Sequence, residues 1–169
     1  MFYRITLKDY IKLEPKYMKE KVLEHLKEEL ENLYEGLIDK KIGIIVAVLG
    51  IKEVKQSVFV PEDGYFYFET IFDVLVYRPE VNELTYGIVS STTTFGVFIN
   101  IGVIDALVHL SQIGDKKFVF QDNKLVSEDG KEVIKKGDKV KGRIIAVSYK
   151  EEIPKVALTL RQPTLGKIE

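Results

Sequence analysis

The sequence predicts two joined folds, a small α+β layer followed by an all-β closed barrel. Three observations carry this expectation. A single amphipathic helical stretch falls early in the chain. Strongly apolar strand patterns stand on either side of it. The second half holds only short strand patterns, separated by turns that carry glycine. With 169 residues, the chain has room for one large domain or two small ones. Each half alone, residues 1–80 and 81–169, falls in the range of about 60 to 90 residues where a core by itself is marginal. The halves are therefore expected to pack on each other or on a partner.

Phe2 to Leu13 reads as a strand, with Phe2, Arg4, Thr6 and Lys8 on one face and Tyr3, Ile5 and Leu7 on the other. Pro15 sits where a helix can begin, because its missing N–H is no loss in a first turn. From Lys16 to Tyr34 the pattern is helical: Met18, Val22, Leu26, Leu30, Leu33 and Leu37 recur at spacings of three and four, opposite a face of Lys and Glu. Gly36 is placed to cap the C-terminus. Ile42 to Val54 reads as a buried strand that continues outward past Gly50. Pro61-Glu62-Asp63-Gly64 is a turn signal. Tyr65 to Tyr77 follows as a long strand, apolar on both faces and so expected at the centre of a sheet, and Pro79 ends it.

In the second half, Gly87 to Ser91, Gly96 to Asn100, Ala106 to Leu110, Lys139 to Ser148 and Lys155 to Leu160 are five strand candidates. Their number and their glycines suggest a Greek-key barrel. Phe118 to Gly130 reads as a polar loop. The boundary between the two folds is expected near Pro79–Leu84.

Composition narrows the chemistry. There is no cysteine, which excludes disulfides and thiolate metal sites. His25 and His109, far apart in sequence, make a poor metal set. No metal or cofactor is expected. No apolar run approaches the length of a membrane span, and the N-terminus lacks a signal-peptide pattern, so a soluble, cytoplasmic protein is expected. The net charge is −1. Residues 1–80 hold 12 Lys/Arg and 15 Asp/Glu, net −3, and the rest hold 13 and 11, net +2. That balance permits weak or shared nucleic-acid binding in the second half and argues against tight autonomous binding, because phosphate attraction supplies most non-specific affinity. No catalytic set emerges: Glu62-Asp63 and Glu151-Glu152 read as solvated turn and loop pairs.

The series Gly87-Ile88-Val89, Phe95-Gly96-Val97-Phe98-Ile99, Leu107-Val108-His109-Leu110-Ser111-Gln112-Ile113 and Gly137-Asp138-Lys139-Val140 resembles the S1-type RNA-binding OB domain. Gly96 would let its strand bend at a barrel corner. The resemblance implies that Phe95 and Phe98 look outward and stack bases, which tolerates any base, and that His109 lies beside the RNA face. Phe98 also reads as a core residue, and His109 as a structural one. Lys141 and Arg143, two apart on one strand face, and Lys155 are candidate backbone contacts that also read as merely solvated. Ser148 stands where RNA-degrading relatives tend to carry Asp, Lys155 where they carry Arg, and Ala106 where a glycine is usual.

The tail, Val156-Ala157-Leu158-Thr159-Leu160-Arg161-Gln162-Pro163-Thr164-Leu165-Gly166-Lys167-Ile168-Glu169, is a more specific signature. Together with the opening Met-Phe-Tyr, the Pro15 helix, the Asp63-Gly64 turn and the Phe68 to Pro79 strand, it makes the whole chain resemble the RNA polymerase stalk family. That family comprises the archaeal E-prime polypeptide and the seventh subunit of eukaryotic RNA polymerase II. Its usual aromatic at the position of Thr164 is missing here.

The resemblance implies an N-terminal truncated ribonucleoprotein-like α+β domain, residues 1–80, and a C-terminal S1-type OB barrel, residues 81–169. It implies that the turn Pro61, Glu62, Asp63, Gly64 docks into the RNA polymerase core. It also implies that the F polypeptide, a small stalk subunit, clasps both domains, and that single-stranded RNA meets the barrel near the exit path. The nine Tyr and nine Phe fit an apolar patch that such a partner would cover. A free-standing S1-type RNA-binding factor in translation or decay is the alternative; it leaves the N-terminal half and the tail signature without a role. An RNA-degrading enzyme is a third reading, without a catalytic constellation to support it.

Overall fold

The computed structural model describes residues 1–168; Glu169, the end of the tail signature, lies outside the described residues. The chain divides into two compact units, Met1–Arg78 and Pro79 onward.

The first unit opens with β1 (Phe2–Leu13), followed by a 3-10 turn at Pro15–Met18 and helix α1 (Val22–Tyr34). Strands β2 (Ile38–Asp39), β3 (Gly43–Val60) and β4 (Tyr65–Tyr77) complete it. All pairings are antiparallel and the order is β1-β4-β3-β2. The expected single helix is in fact two pieces. Lys21, at φ +56, takes a left-handed conformation that separates the Pro15 turn from α1. Gly36, at φ +83, follows the helix end, but its N–H bonds to Ile45 O of β3 at 2.8 Å and the last helix bond is made by Glu35 N–H to Glu31 O at 3.0 Å.

β4 lies between β1 and β3, as its two-sided apolar pattern requires. Leu26 and Leu30 of α1 are fully buried against Ile11, Leu13, Ile45, Val48, Phe68, Phe72, Val74 and Val76. Each such leucine contributes about 1.5–3 kcal/mol. The reverse face of β4 is not wholly apolar. Asp73 accepts from Thr6 Oγ1 at 2.6 Å and pairs with Arg4 and Lys52 at 2.5 and 3.0 Å. Four residues earlier, Glu69 pairs with Lys55 at 2.6 Å and Lys8 at 3.6 Å. An acidic central strand thus lies between two basic neighbours, and that arrangement lets Asp73 be buried in charged form.

The second unit holds β5 (Leu84–Thr92), β6 (Gly96–Asn100) and β7 (Asp105–His109). After these come β8 (Phe118–Gln121), β9 (Lys124–Ser127) and β10 (Val133–Lys135). Strands β11 (Lys139–Ser148), β12 (Lys155–Thr159) and β13 (Gly166–Lys167) end the unit. The order β12-β7-β6-β5-β11 closes on itself because β11 also pairs with β12, giving a five-stranded barrel. Only β12–β7 is parallel among the barrel pairs. Val89, Val97, Ile99, Ala106, Val108, Val140, Ile144, Val156 and Leu158 fill its interior.

The stretch that reads as a polar loop instead holds the β8–β9 hairpin, which β10, just beyond it, extends into a separate three-stranded sheet. Asp122 and Asn123, at φ +50 and +58, make the two-residue hairpin turn between β8 and β9. Inward Phe118, Leu125, Ser127 and Ile134 carry the alternation that the charged neighbours obscure.

Candidate nucleic-acid interface

Alternation along the β6–β7 hairpin decides which side chains leave the barrel. Val97, Ile99, Ala106 and Val108 point inward and are buried; Phe98, Leu107 and His109 point outward. Phe98 stands opposite Leu107, and Gly96 opposite His109. Gly96 serves close approach rather than a bend. A Cβ there would lie 2.3 Å from the Val108 carbonyl oxygen, so only glycine lets β6 lie this near β7. The Thr93 hydroxyl, bonded to the Gly96 carbonyl at 2.9 Å, holds the preceding turn. Phe95, beside Gly96, gives its carbonyl to Leu110 N–H at 3.1 Å and leaves its ring 48% exposed. Phe95 and Phe98 meet edge to face, with centroids 6.2 Å apart.

The His109 ring is exposed, and its orientation is set locally. Nδ1 accepts the Ser111 backbone N–H at 3.3 Å and lies 3.0 Å from the Ser111 hydroxyl. With Nδ1 as acceptor, the neutral ring carries its proton on Nε2, which is then the donor available to a phosphate or base. Phe95, Phe98 and His109 therefore form one surface with two π-faces and one donor.

The other three candidates are elsewhere. Lys141 pairs across β11–β5 with Tyr86, and its Nζ lies 5.6 Å from the Tyr86 ring centroid. Phe98 pairs with Ser91, five residues further along β5. Lys141 and Phe98 are thus separated by two strand spacings, about 10 Å, and by about 16 Å along the strand direction. Arg143 lies between Leu84 and Thr159, and its Nε is buried with no hydrogen-bond partner among the described residues. Lys155 pairs with Glu151 at 2.5 Å. Its neighbour Val156 pairs with Ala106, toward the end of β7 away from His109. The six residues expected on one face therefore divide into an aromatic–histidine group and three dispersed cations. A simple period-two reading could not reveal this, because the strand order around the barrel decides which outward faces adjoin.

Two outward residues escape the sequence reading, Asn100 and Asp105, which pair opposite each other beyond Phe98. Tyr86, 63% exposed, escapes it too. Alternation from the buried Val97 and Ile99 is the signal available for Asn100.

In the first unit, Pro61, Glu62 and Asp63 are exposed and Gly64 half-buried at the turn joining β3 to β4. Gly64 takes φ +76 and gives its N–H to Val60 O at 2.9 Å. Asp63 accepts from the Tyr65 N–H at 3.1 Å and from the Tyr67 hydroxyl, and these bonds hold its carboxyl below the ordinary range, the Tyr67 bond most. The turn is thus closed by its own hydrogen bonds. Nearby, Val58 and Phe59 are 63% and 46% exposed, so the hairpin end is apolar as well as acidic.

A helix-backed sheet joined to a barrel with an outward aromatic pair belongs to the class of S1-bearing RNA-binding proteins. Residues 78–157 match the S1 RNA binding domain, and residues 8–64 match the SHS2 domain found in the N terminus of Rpb7p/Rpc25p/MJ0397. DNA-directed RNA polymerase subunit Rpo7 of Sulfolobus acidocaldarius is 37% identical over all of this chain and 94% of its own length. DNA-directed RNA polymerase II subunit RPB7 of Glycine max is 26% identical over 86% of this chain and 84% of its own. The solution structure of GSP13 from Bacillus subtilis is 27% identical, covering 50% of this chain and 57% of that one, at a TM-score of 0.38. The chain belongs to the Rpo7 family of DNA-directed RNA polymerase subunits.

Proposed function

We propose that this chain is the stalk subunit of a DNA-directed RNA polymerase, non-catalytic in itself, and that its barrel holds emerging single-stranded RNA. The full-length relationship to Rpo7 carries the reading. The outward group of Phe95, Phe98 and His109 supports RNA contact, because stacking and phosphate donation suit single strands of any sequence. The turn Pro61 to Gly64 is the docking element toward the polymerase core: it is largely exposed, closed by its own hydrogen bonds and flanked by the apolar Val58 and Phe59. The F polypeptide, a small stalk subunit, pairs with the chain and covers part of its exposed apolar surface. The kinship with polymerase subunits supports a cytoplasmic place beside the core. No helix among the described residues is long and apolar enough to cross a membrane.

The docking test is co-sedimentation with stalk-free polymerase core. Shortening the 61–64 turn is expected to abolish association while the barrel still binds RNA. Unchanged co-sedimentation would remove the turn from the docking surface.

A further inference from the structure

The outward side of β6–β7 continues past Phe98. Asn100 is two residues further on the same side of β6, about 7 Å along the strand, and Asp105 stands directly opposite it on β7. Both are exposed. Asp105 Oδ1 accepts from Asn100 Nδ2 at 3.0 Å, and Oδ2 lies 3.1 Å from the Ser90 hydroxyl. The same hydroxyl lies 3.2 Å from the Phe98 carbonyl oxygen. Asn100 Oδ1 accepts the Gly102 N–H at 3.0 Å, which turns the amide nitrogen toward Asp105. The carboxylate is therefore held in place from two sides.

These bonds leave capacity unused. Each carboxylate oxygen has a further lone pair, and the Asn100 amide has a second N–H. The array beside the Phe98 ring thus offers two acceptors and one donor. Guanine is the base whose Watson–Crick edge is complementary, with donors at N2 and N1 and an acceptor at O6. Uracil presents acceptor, donor, acceptor; cytosine presents donor, acceptor, acceptor; adenine presents one donor beside an acceptor. Adenine and cytosine can use only one carboxylate oxygen and the amide donor, and uracil sets an acceptor against a carboxylate oxygen, so guanine alone uses all three groups. A carboxylate beside a stacking ring also repels phosphate, so it favours a base edge over the backbone at this point.

The geometry points to a guanine-reading subsite formed by Asn100, Asp105 and Ser90 next to Phe98. It rests on the RNA-binding reading above and adds a preference at one nucleotide to a surface that otherwise tolerates any base. The preference is moderate, because a net hydrogen bond at an exposed site changes affinity by about two- to tenfold.

The experiment titrates the full chain with a uridine heptamer and with the same strand carrying guanosine, adenosine or cytidine at its centre. The guanosine strand is expected to bind tightest, by about two- to tenfold over uridine. Asp105→Asn, which exchanges one acceptor for a donor, is expected to collapse that ratio. Asn100→Ala is expected to lower it in the same direction and carries the test if Asp105→Asn does not fold by circular dichroism. Phe98→Ala should weaken all four strands together. Equal affinity of the wild type for all four, or a ratio unchanged in the folded variants, overturns the subsite and leaves the RNA reading standing. Failure to bind any strand overturns the RNA reading and the subsite with it.

Discussion

Phe95 and Phe98 meet edge to face at 88° on the outer surface of the barrel, with Gly96 between them pressed against the Val108 carbonyl. The close approach of β6 to β7 is what brings the exposed ring, the half-buried ring and His109 to one place. Phe95→Ala should cost about 1–3 kcal/mol in single-strand RNA binding, the worth of one stacked base. Titration of short labelled RNA against both proteins checks this. Identical curves would take Phe95 off the RNA surface.

Lys141 makes a different prediction. It lies beside Tyr86, two strands away from Phe98. Lys141→Ala should leave binding of a trinucleotide nearly untouched, because so short a strand does not span the separation. A long strand that wraps toward β11 should lose affinity, and its salt dependence should flatten by about one unit of slope. Equal losses for short and long strands would mean that Lys141 acts at the aromatic surface after all.

Asp73 ties stability to acid. Its carboxyl is held at about 2, first by the Thr6 hydroxyl and then by Lys52 and Arg4. An unfolded Asp titrates at about 3.9. A lowered folded value means that its contribution is complete above about pH 4 and is lost as pH falls toward 2. Asp73→Asn should therefore be less stable at neutral pH and lose less on acidification across that window. Denaturant melts at several pH values measure it. Asp129 in the second unit, also at about 2 through Ser127, Lys116 and the Lys131 N–H, keeps part of the acid dependence in the variant.

Thr164 is a strained position. Its φ is +70, unfavourable for a β-branched residue, in a turn closed by the Leu165 N–H to Gln162 O bond at 3.1 Å. Thr164→Gly removes that strain and is expected to stabilise the protein by about 1 kcal/mol. The gain is partly offset by the freer unfolded chain. A shift of the denaturation midpoint downward would contradict the strain argument.

Much of this fold is legible in the sequence because its elements obey simple periods. Leu26 and Leu30 mark the buried stripe of α1, and the two-sided pattern of Tyr65 to Tyr77 puts β4 at the sheet centre. Two features escape. Lys21 breaks the helical run through a backbone conformation that no side-chain period encodes. The β8–β9 hairpin hides among charges, and its Asp122-Asn123 turn lacks the glycine that usually announces such a turn. For the site, Phe95, Phe98 and His109 can be placed together because Phe98 and His109 belong to adjacent strands joined by a short hairpin and Phe95 immediately precedes the first of them. Lys141, Arg143 and Lys155 cannot, since their distance from that hairpin depends on how the barrel closes. Asp105 escapes because a carboxylate repels phosphate and so carries no RNA-binding pattern in the sequence.

The stalk assignment is tested most directly by recovery of the tagged chain from its native cells, with every bound chain identified. The polymerase core is expected together with one small partner, and shortening the 61–64 turn is expected to lose the core while the small partner is retained. Recovery of ribosomal or RNA-degrading assemblies without polymerase would contradict it.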